Sequence, residues 1–213
     1  MAHPETPLED DLSLTDRAIE QGAPMELVLA SGSPRRSLLL SLAGITFTTV
    51  VPDVDETPLA DEAPAEYVLR VSELKAHSVP RSGNDVVLGA DTTVVFKGAI
   101  IGKPSTATDA VSILSRLAGE THSVLTGWSI TDGNSHRFGV EESLVRFNER
   151  TSDELADYVE RTQPFDKAGA YALQGDNGWL VSQVSGSRAN VMGLPIKEVV
   201  EALGAFGIER STP

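Results

Sequence analysis

The sequence predicts an α/β fold built on a mixed β-sheet. From Met25 onward, short apolar and β-branched runs alternate with segments of helical periodicity. Two pairs of strand-like runs are joined by tight Lys97-Gly98 and Asp132-Gly133 turns, so part of the sheet is antiparallel. Other runs are separated by helices, whose crossovers bring strands together in parallel.

Taken in order, "ELVLA" (26–30) is a strand. Ser33 is a suitable N-cap and Pro34 is pre-set for the first helical position. A helix over 34–43 follows, with Leu38, Leu39 and Leu42 as its apolar stripe and Gly44 as its stop. "ITFTTVV" (45–51) reads as a β-branched strand running into the acidic loop "PDVDETP". "APAEYVLRVSELKAHSV" (63–79) is helical, with Tyr67, Val71 and Leu74 on one stripe. "DVVLGAD" (85–91) is a buried strand ending in an acid, and "TTVVFKGAIIGKP" is a hairpin. "TATDAVSILSRLAG" forms a helix with Ala110, Val111, Leu114, Leu117 and Ala118 inward. A long hairpin spans 122–147. Thr151 and Glu154 make a capping box for a helix reaching about Arg161. The Gly-rich loop "QPFDKAGAYALQG", the strand "GWLVSQV" and a closing helix started by Pro195 complete the pattern.

The chain has 213 residues, enough for one domain or two closely packed lobes. Residues 1–24 set six acids (Glu5, Glu9, Asp10, Asp11, Asp16, Glu20) against Arg17 and contain three prolines. They read as a loose acidic extension before a single domain over 25–213. There is no cysteine, hence no disulfide framework and no thiolate nucleophile. No apolar run approaches the roughly 20 residues of a membrane span, and no signal-peptide core is present. A cytoplasmic protein is the expectation. A net charge of −14 argues against a general binder of nucleic acid or anionic membrane.

A local anion site is compatible with that charge, because exposed charges are screened beyond about 8 Å at physiological salt. Arg35 and Arg36 occupy the first turn of a helix, the end whose dipole favours anions and repels cations. With Ser31, Ser33 and free backbone N–H groups they describe a phosphate cradle; the plainer reading is a solvated Arg pair. Asp91 closes a buried strand and needs a partner, either a metal or a substrate proton. Glu56 lies in an acidic turn that is otherwise solvated. Lys75 stands at the edge of an inward stripe and reads by itself as a snorkelling lysine, Lys103 as an edge-strand gatekeeper, and Asp166 with Lys167 as a surface ion pair. Histidines have no metal-site spacing, and neither GxxxxGK[ST], GxGxxG nor GxSxG occurs. Cations from several elements with carboxylates at two places suggest a polyphosphate clamp that uses Mg²⁺ or Mn²⁺.

"LASGSPRR", "DVDET", "KA" at 75–76, "GADT", "GKP", "DKAGAYALQG" and "MGLP" occur in an order that resembles the Maf family of nucleoside triphosphate pyrophosphatases over about residues 26–208. The resemblance implies an elongated, curved mixed sheet with flanking helices and two lobes around a central cleft, as in inosine triphosphate pyrophosphatase. It implies cleavage of a nucleotide between the α- and β-phosphates with a divalent cation. By motif position, Asp91 would be the proton acceptor, and Ser31, Arg35, Arg36, Glu56, Lys75 and Lys103 would line the phosphate and metal site. Whether Asp91 takes the proton or joins Glu56 as metal ligand stays open at this point. The specificity positions fall on Arg35, Thr92 and Gln174, and "SPRR", "GADT" and "LQG" together look like the dTTP/UTP branch. "SGSRANV" departs from that branch, which often has an aromatic there. The implied role is house-cleaning of the nucleotide pool. Its alternatives are a nucleotide-sensing regulator of septum formation with little turnover, or a 7-methyl-GTP pyrophosphatase. The implied partner is the nucleotide alone, with a homodimer left open.

Overall fold

A computed structural model describes residues 25–83 and 85–210. The expected acidic extension, 1–24, lies outside the described residues. Seven strands form one sheet: β1 (Leu27–Ala30), β2 (Thr48–Val50), β3 (Val86–Phe96), β4 (Ala99–Ile101), β5 (Thr121–Thr131), β6 (His136–Phe147) and β7 (Val181–Ser185). Their order is β2-β1-β3-β5-β6-β7, with β4 paired to β3. β1 runs parallel to β2 and β3, and every other pairing is antiparallel. The sheet is thus mixed, as the hairpins and crossovers require. Both expected turns form: Lys97 and Gly98 take positive φ (52° and 81°), the geometry a two-residue hairpin loop demands.

Helix α1 (Pro34–Leu42), α2 (Pro64–Ser78), α3 (Ala107–Leu117), α4 (Ser152–Thr162), α5 (Arg188–Met192) and α6 (Ile196–Gly204) cover the sheet. Strand alternation sorts β3 into two faces. Leu88 and Ala90 join Leu27, Leu29, Trp128 and Ile130 in a core closed by Leu39 and Leu40 of α1 and Val199 and Leu203 of α6. Further along, Val94 and Phe96 enter a second core with Val124 and Phe147, closed by Leu114 of α3 and Leu155 and Tyr158 of α4. Thr92 stands on β3 between the two apolar cores.

The opposite face belongs to α2, and two glycines set how close it comes. A Cβ on Gly89 would lie 2.2 Å from the carbonyl oxygen of Ser72, and one on Gly127 would lie 2.3 Å from that of Val68. No side chain fits, so backbone packs on backbone. Gly127 is the cross-strand partner of Asp91. The missing side chains therefore bring the α2 face carrying Lys75 down onto Asp91.

Several sequence expectations need correcting. The inward residues of α1 are Arg36, Leu39 and Leu40, whereas Leu38 and Leu42 are exposed. Leu74 is exposed too, and Val68, Ser72, Lys75 and Ala76 share the buried face with Tyr67 and Val71. Of "ITFTTVV" only Thr48–Val50 is strand, and Ile45 turns back into the core. Asp91 does not end its strand; β3 continues to Phe96. Alternation alone misses this, because Gly89, Asp91 and Thr93 break the apolar run on the α2 side only.

Candidate active site

β1 accompanies β3 only as far as the pair Ala30–Gly89, and β4 joins it only from Val94. Between them, Ala90–Thr93 have β5 on one side and no strand on the other among the described residues. An interruption between neighbouring strands at the carboxyl end of β1 is where open α/β sheets place their sites. The polar residues singled out from sequence converge here.

Arg36 is buried, at 8% exposure. Its Nε donates to the Gly193 carbonyl at 2.8 Å, one terminal nitrogen to Ser31 Oγ at 3.0 Å and the other to Thr92 Oγ1 at 3.1 Å. All three acceptors are neutral, and Arg36 has no ion-pair partner among the described residues. Burial pulls the guanidinium below its ordinary value; Asp91 and Glu56 oppose this and Arg35 adds to it. A buried cation bonded only to neutral oxygens, at the positive end of a helix, calls for an anion. Ser31 Oγ also accepts from the Ser33 N–H at 3.2 Å, so the first turn is held open toward the same space. Ser33 caps α1 by backbone conformation, with no side-chain bond.

Lys75 is no snorkelling lysine. It is 6% exposed, and its Nζ lies 2.7 Å from Asp91 Oδ1 and 2.9 Å from Glu56 Oε1. Asp91 Oδ2 accepts no hydrogen bond from a described residue. Glu56 is held below the usual carboxylate range: burial resists, but the hydrogen bond and charge of Lys75, then the charges of Lys103 and Arg36, outweigh it. Lys103, exposed in the loop after β4, thus belongs to the same field, and the gatekeeper reading is too plain. The Asp166–Lys167 pair does form. Burial works against the charged form of Asp166, but Lys167 and then Arg35 hold it low, which sets this loop beside the cradle.

Thr92 connects the cradle to the rest of the fold. Besides Arg36, its hydroxyl meets Thr126 Oγ1 at 2.9 Å, and Thr126 donates to the Asn190 carbonyl at 3.1 Å. Thr126 is the in-register partner of Thr92 on β5. Sequence reasoning missed Thr126, Gly193 and Asn190. The signal for Gly193 was the "MGLP" motif. For Thr126 it was a threonine inside an apolar strand, which is ordinary by itself. Gln174 stands apart: it makes no hydrogen bond to another described residue, and it lines a concavity of about 490 Å³ with Asp176, Gln183 and Arg188.

Glu56 and Asp91 converge on one ammonium, so their oxygens would equally meet one hard cation. No group of three or more His, Cys, Asp or Glu suited to a metal exists among the described residues. Two carboxylates fit Mg²⁺ or Mn²⁺ in its usual enzymatic setting, where waters and substrate phosphates complete the shell. No described helix is long and apolar enough to cross a membrane.

A family model described as Maf-like protein matches residues 26–206. A protein of Geotalea uraniireducens (strain Rf4) named dTTP/UTP pyrophosphatase is 45% identical over 190 residues, covering 87% of this chain and 97% of that protein. One of the same name from Symbiobacterium thermophilum is 43% identical, covering 85% of this chain and 94% of its own. Among solved structures, a HAM1 protein from Coxiella burnetii aligns with 85% of this chain and all of its own at a TM-score of 0.46 and 17% identity.

Proposed function

This chain belongs to the Maf family, and we propose that it hydrolyses dTTP and UTP, and modified pyrimidine nucleotides, to the monophosphate and pyrophosphate. The observation that carries the reading is the buried, anion-less Arg36 beside a carboxylate pair bridged by Lys75. The names of the relatives supply the substrate class.

Ser31, Ser33, Arg35, Arg36, Lys75 and Lys103 bind the triphosphate. Arg36 keeps its three protein bonds and offers its remaining N–H groups to phosphate oxygen. Lys75 has one N–H beyond those given to Asp91 and Glu56, and it points that charge at the same anion. A water attacks the α-phosphorus and gives its proton to Asp91 Oδ2. The bond to the oxygen bridging to the β-phosphorus breaks, and pyrophosphate leaves with the electron pair. Fixed cations around the leaving group stabilise that charge without reorganisation. Glu56 and Asp91 would hold a divalent cation, which when bound neutralises phosphate charge and lowers the pKa of a bound water. Thr92 orients Arg36, and Gln174 reads the base: its amide matches the N3–H donor and O4 acceptor of thymine or uracil.

The test is pyrophosphate release from dTTP, UTP, CTP and 7-methyl-GTP with Mg²⁺ present, in wild type and Asp91→Asn. The expected result is preference for dTTP and UTP, with turnover lowered about 10²–10⁴-fold in the folded variant. Near-normal kcat in Asp91→Asn would remove Asp91 from the chemistry. Binding without pyrophosphate release would overturn the enzyme reading.

A further inference from the structure

Strand β6 has an edge that no described strand covers over its first half. β5 covers one side of it from His136 to Arg146, but β7 covers the other side only from Leu144 onward. Among the described residues no strand pairs with His136–Glu142 on that side, a stretch of about 23 Å, the length of seven extended residues. The stretch has no proline, its charges Arg137, Glu141 and Glu142 are of mixed sign, and Phe138 and Val140 are exposed at 54% and 36%. Its sequence, "HRFGVEE", is also complementary to its own reverse.

We propose that this edge pairs with the same edge of a second copy of the chain, antiparallel and centred on Gly139. A two-fold axis through Gly139 sets Phe138 opposite Val140 and Arg137 opposite Glu141. His136 falls opposite Glu142. Each apolar residue meets an apolar one and each basic residue an acidic one. The axis keeps each face of the sheet on its own side, so the centre must fall on a residue. Centring on Phe138 leaves Arg137 opposite Gly139, and centring on Val140 sets Phe138 against Glu142. Only the Gly139 register matches. The faces agree as well. A Cβ on Gly139 would meet the Trp128 ring at 2.7 Å, so Arg137 and Glu141 lie on the Trp128 side. Phe138 and Val140 lie on the α2 side, where His136 meets His77 of that helix. Pairing would extend the sheet across two protomers and bury an edge that otherwise invites aggregation.

The experiment is sedimentation of the full chain and of two single variants, Arg137→Glu and Glu141→Arg, across the micromolar range, with a thermal melt of each. Wild type is expected to dimerise. Each variant sets like charges opposite one another at both symmetry-related positions, and should weaken association roughly tenfold or more while melting normally. An equimolar mixture of the two variants restores opposite charges at both positions and should dimerise as a mixed pair. Loss of folding alone cannot produce that rescue. A wild type that stays monomeric, a dimer indifferent to either variant, or a mixture that fails to recover would each overturn the proposal.

Discussion

Replacing Gly89 by alanine probes whether the fold itself sets the geometry of the site. The new methyl would sit 2.2 Å from the Ser72 carbonyl oxygen and 2.6 Å from the Ala76 nitrogen, both backbone atoms of α2. Neither can rotate away, so the helix must lift by about 1 Å to reach an ordinary contact. Overpacking of this kind costs about 1–3 kcal/mol, which for a chain of this size is roughly 2–12 °C in Tm. Lys75 lies between Ser72 and Ala76 in sequence and rides on the same turn, so its 2.7 Å contact with Asp91 opens with the shift. A misplacement of about 1 Å at reacting groups can cost on the order of 10²-fold in kcat. The assay is Tm together with pyrophosphate release at saturating substrate. Gly204→Ala serves as control, since a Cβ there meets nothing within 4 Å. It should leave activity alone and shift stability by no more than about 1 kcal/mol, in the favourable direction. If Gly89→Ala keeps both wild-type Tm and wild-type kcat, the close approach of α2 does not hold Lys75 in place.

Arg36→Lys keeps the charge but loses the planar fork that joins Gly193, Ser31 and Thr92; kcat/KM should fall about 10²-fold, and an unchanged value would refute the bracket. Gln174→Glu offers only acceptors to the O4 of thymine, so kcat/KM for dTTP should drop by roughly 5- to 150-fold with 7-methyl-GTP much less affected; an unchanged ratio of the two substrates would show that Gln174 does not read the base. His122 is buried against Phe147 and Tyr171, and burial lowers it to about 4 from an ordinary 6.5. Folding thus favours its neutral form, so its contribution is whole above pH 6.5 and is lost as pH falls toward about 4. Urea unfolding at pH 7 and pH 5 should differ by about 2 kcal/mol from this group, and His122→Gln should lack that part of the difference; equal pH dependence in both proteins would exclude it.

What the sequence made legible follows from what each signal measures. Turn chemistry at Lys97-Gly98 and the capping box at Thr151 and Glu154 are local, and both form as read. Arg35 and Arg36 stood out in the sequence because cations at a helix start conflict with the dipole, and the structure buries Arg36 there against neutral oxygens. The inward face of α1 was misread for a different reason. A stripe chosen for hydrophobicity takes Leu38 and Leu42, whereas the helix turns Arg36 inward with Leu39 and Leu40. Lys75 was misjudged because its partners, Glu56 and Asp91, come from a loop and a strand that only the tertiary fold brings to it. Gly89 and Gly127 look like weak points in two strands, and their reason is the backbone of a helix packed across them.

The bond from Arg36 to the Gly193 carbonyl joins positions 157 residues apart. During synthesis the arginine leaves the ribosome long before its acceptor exists. A nascent chain that stops before "MGLP" also lacks Leu194, Val199 and Leu203, which close the core over β1, α1 and β3. It cannot complete the bracket around Arg36, and it exposes a guanidinium with two bonds in place of three. On the proposed function, the grip on the triphosphate is thus completed by nearly the last segment translated, and a chain truncated before Gly193 should be catalytically silent.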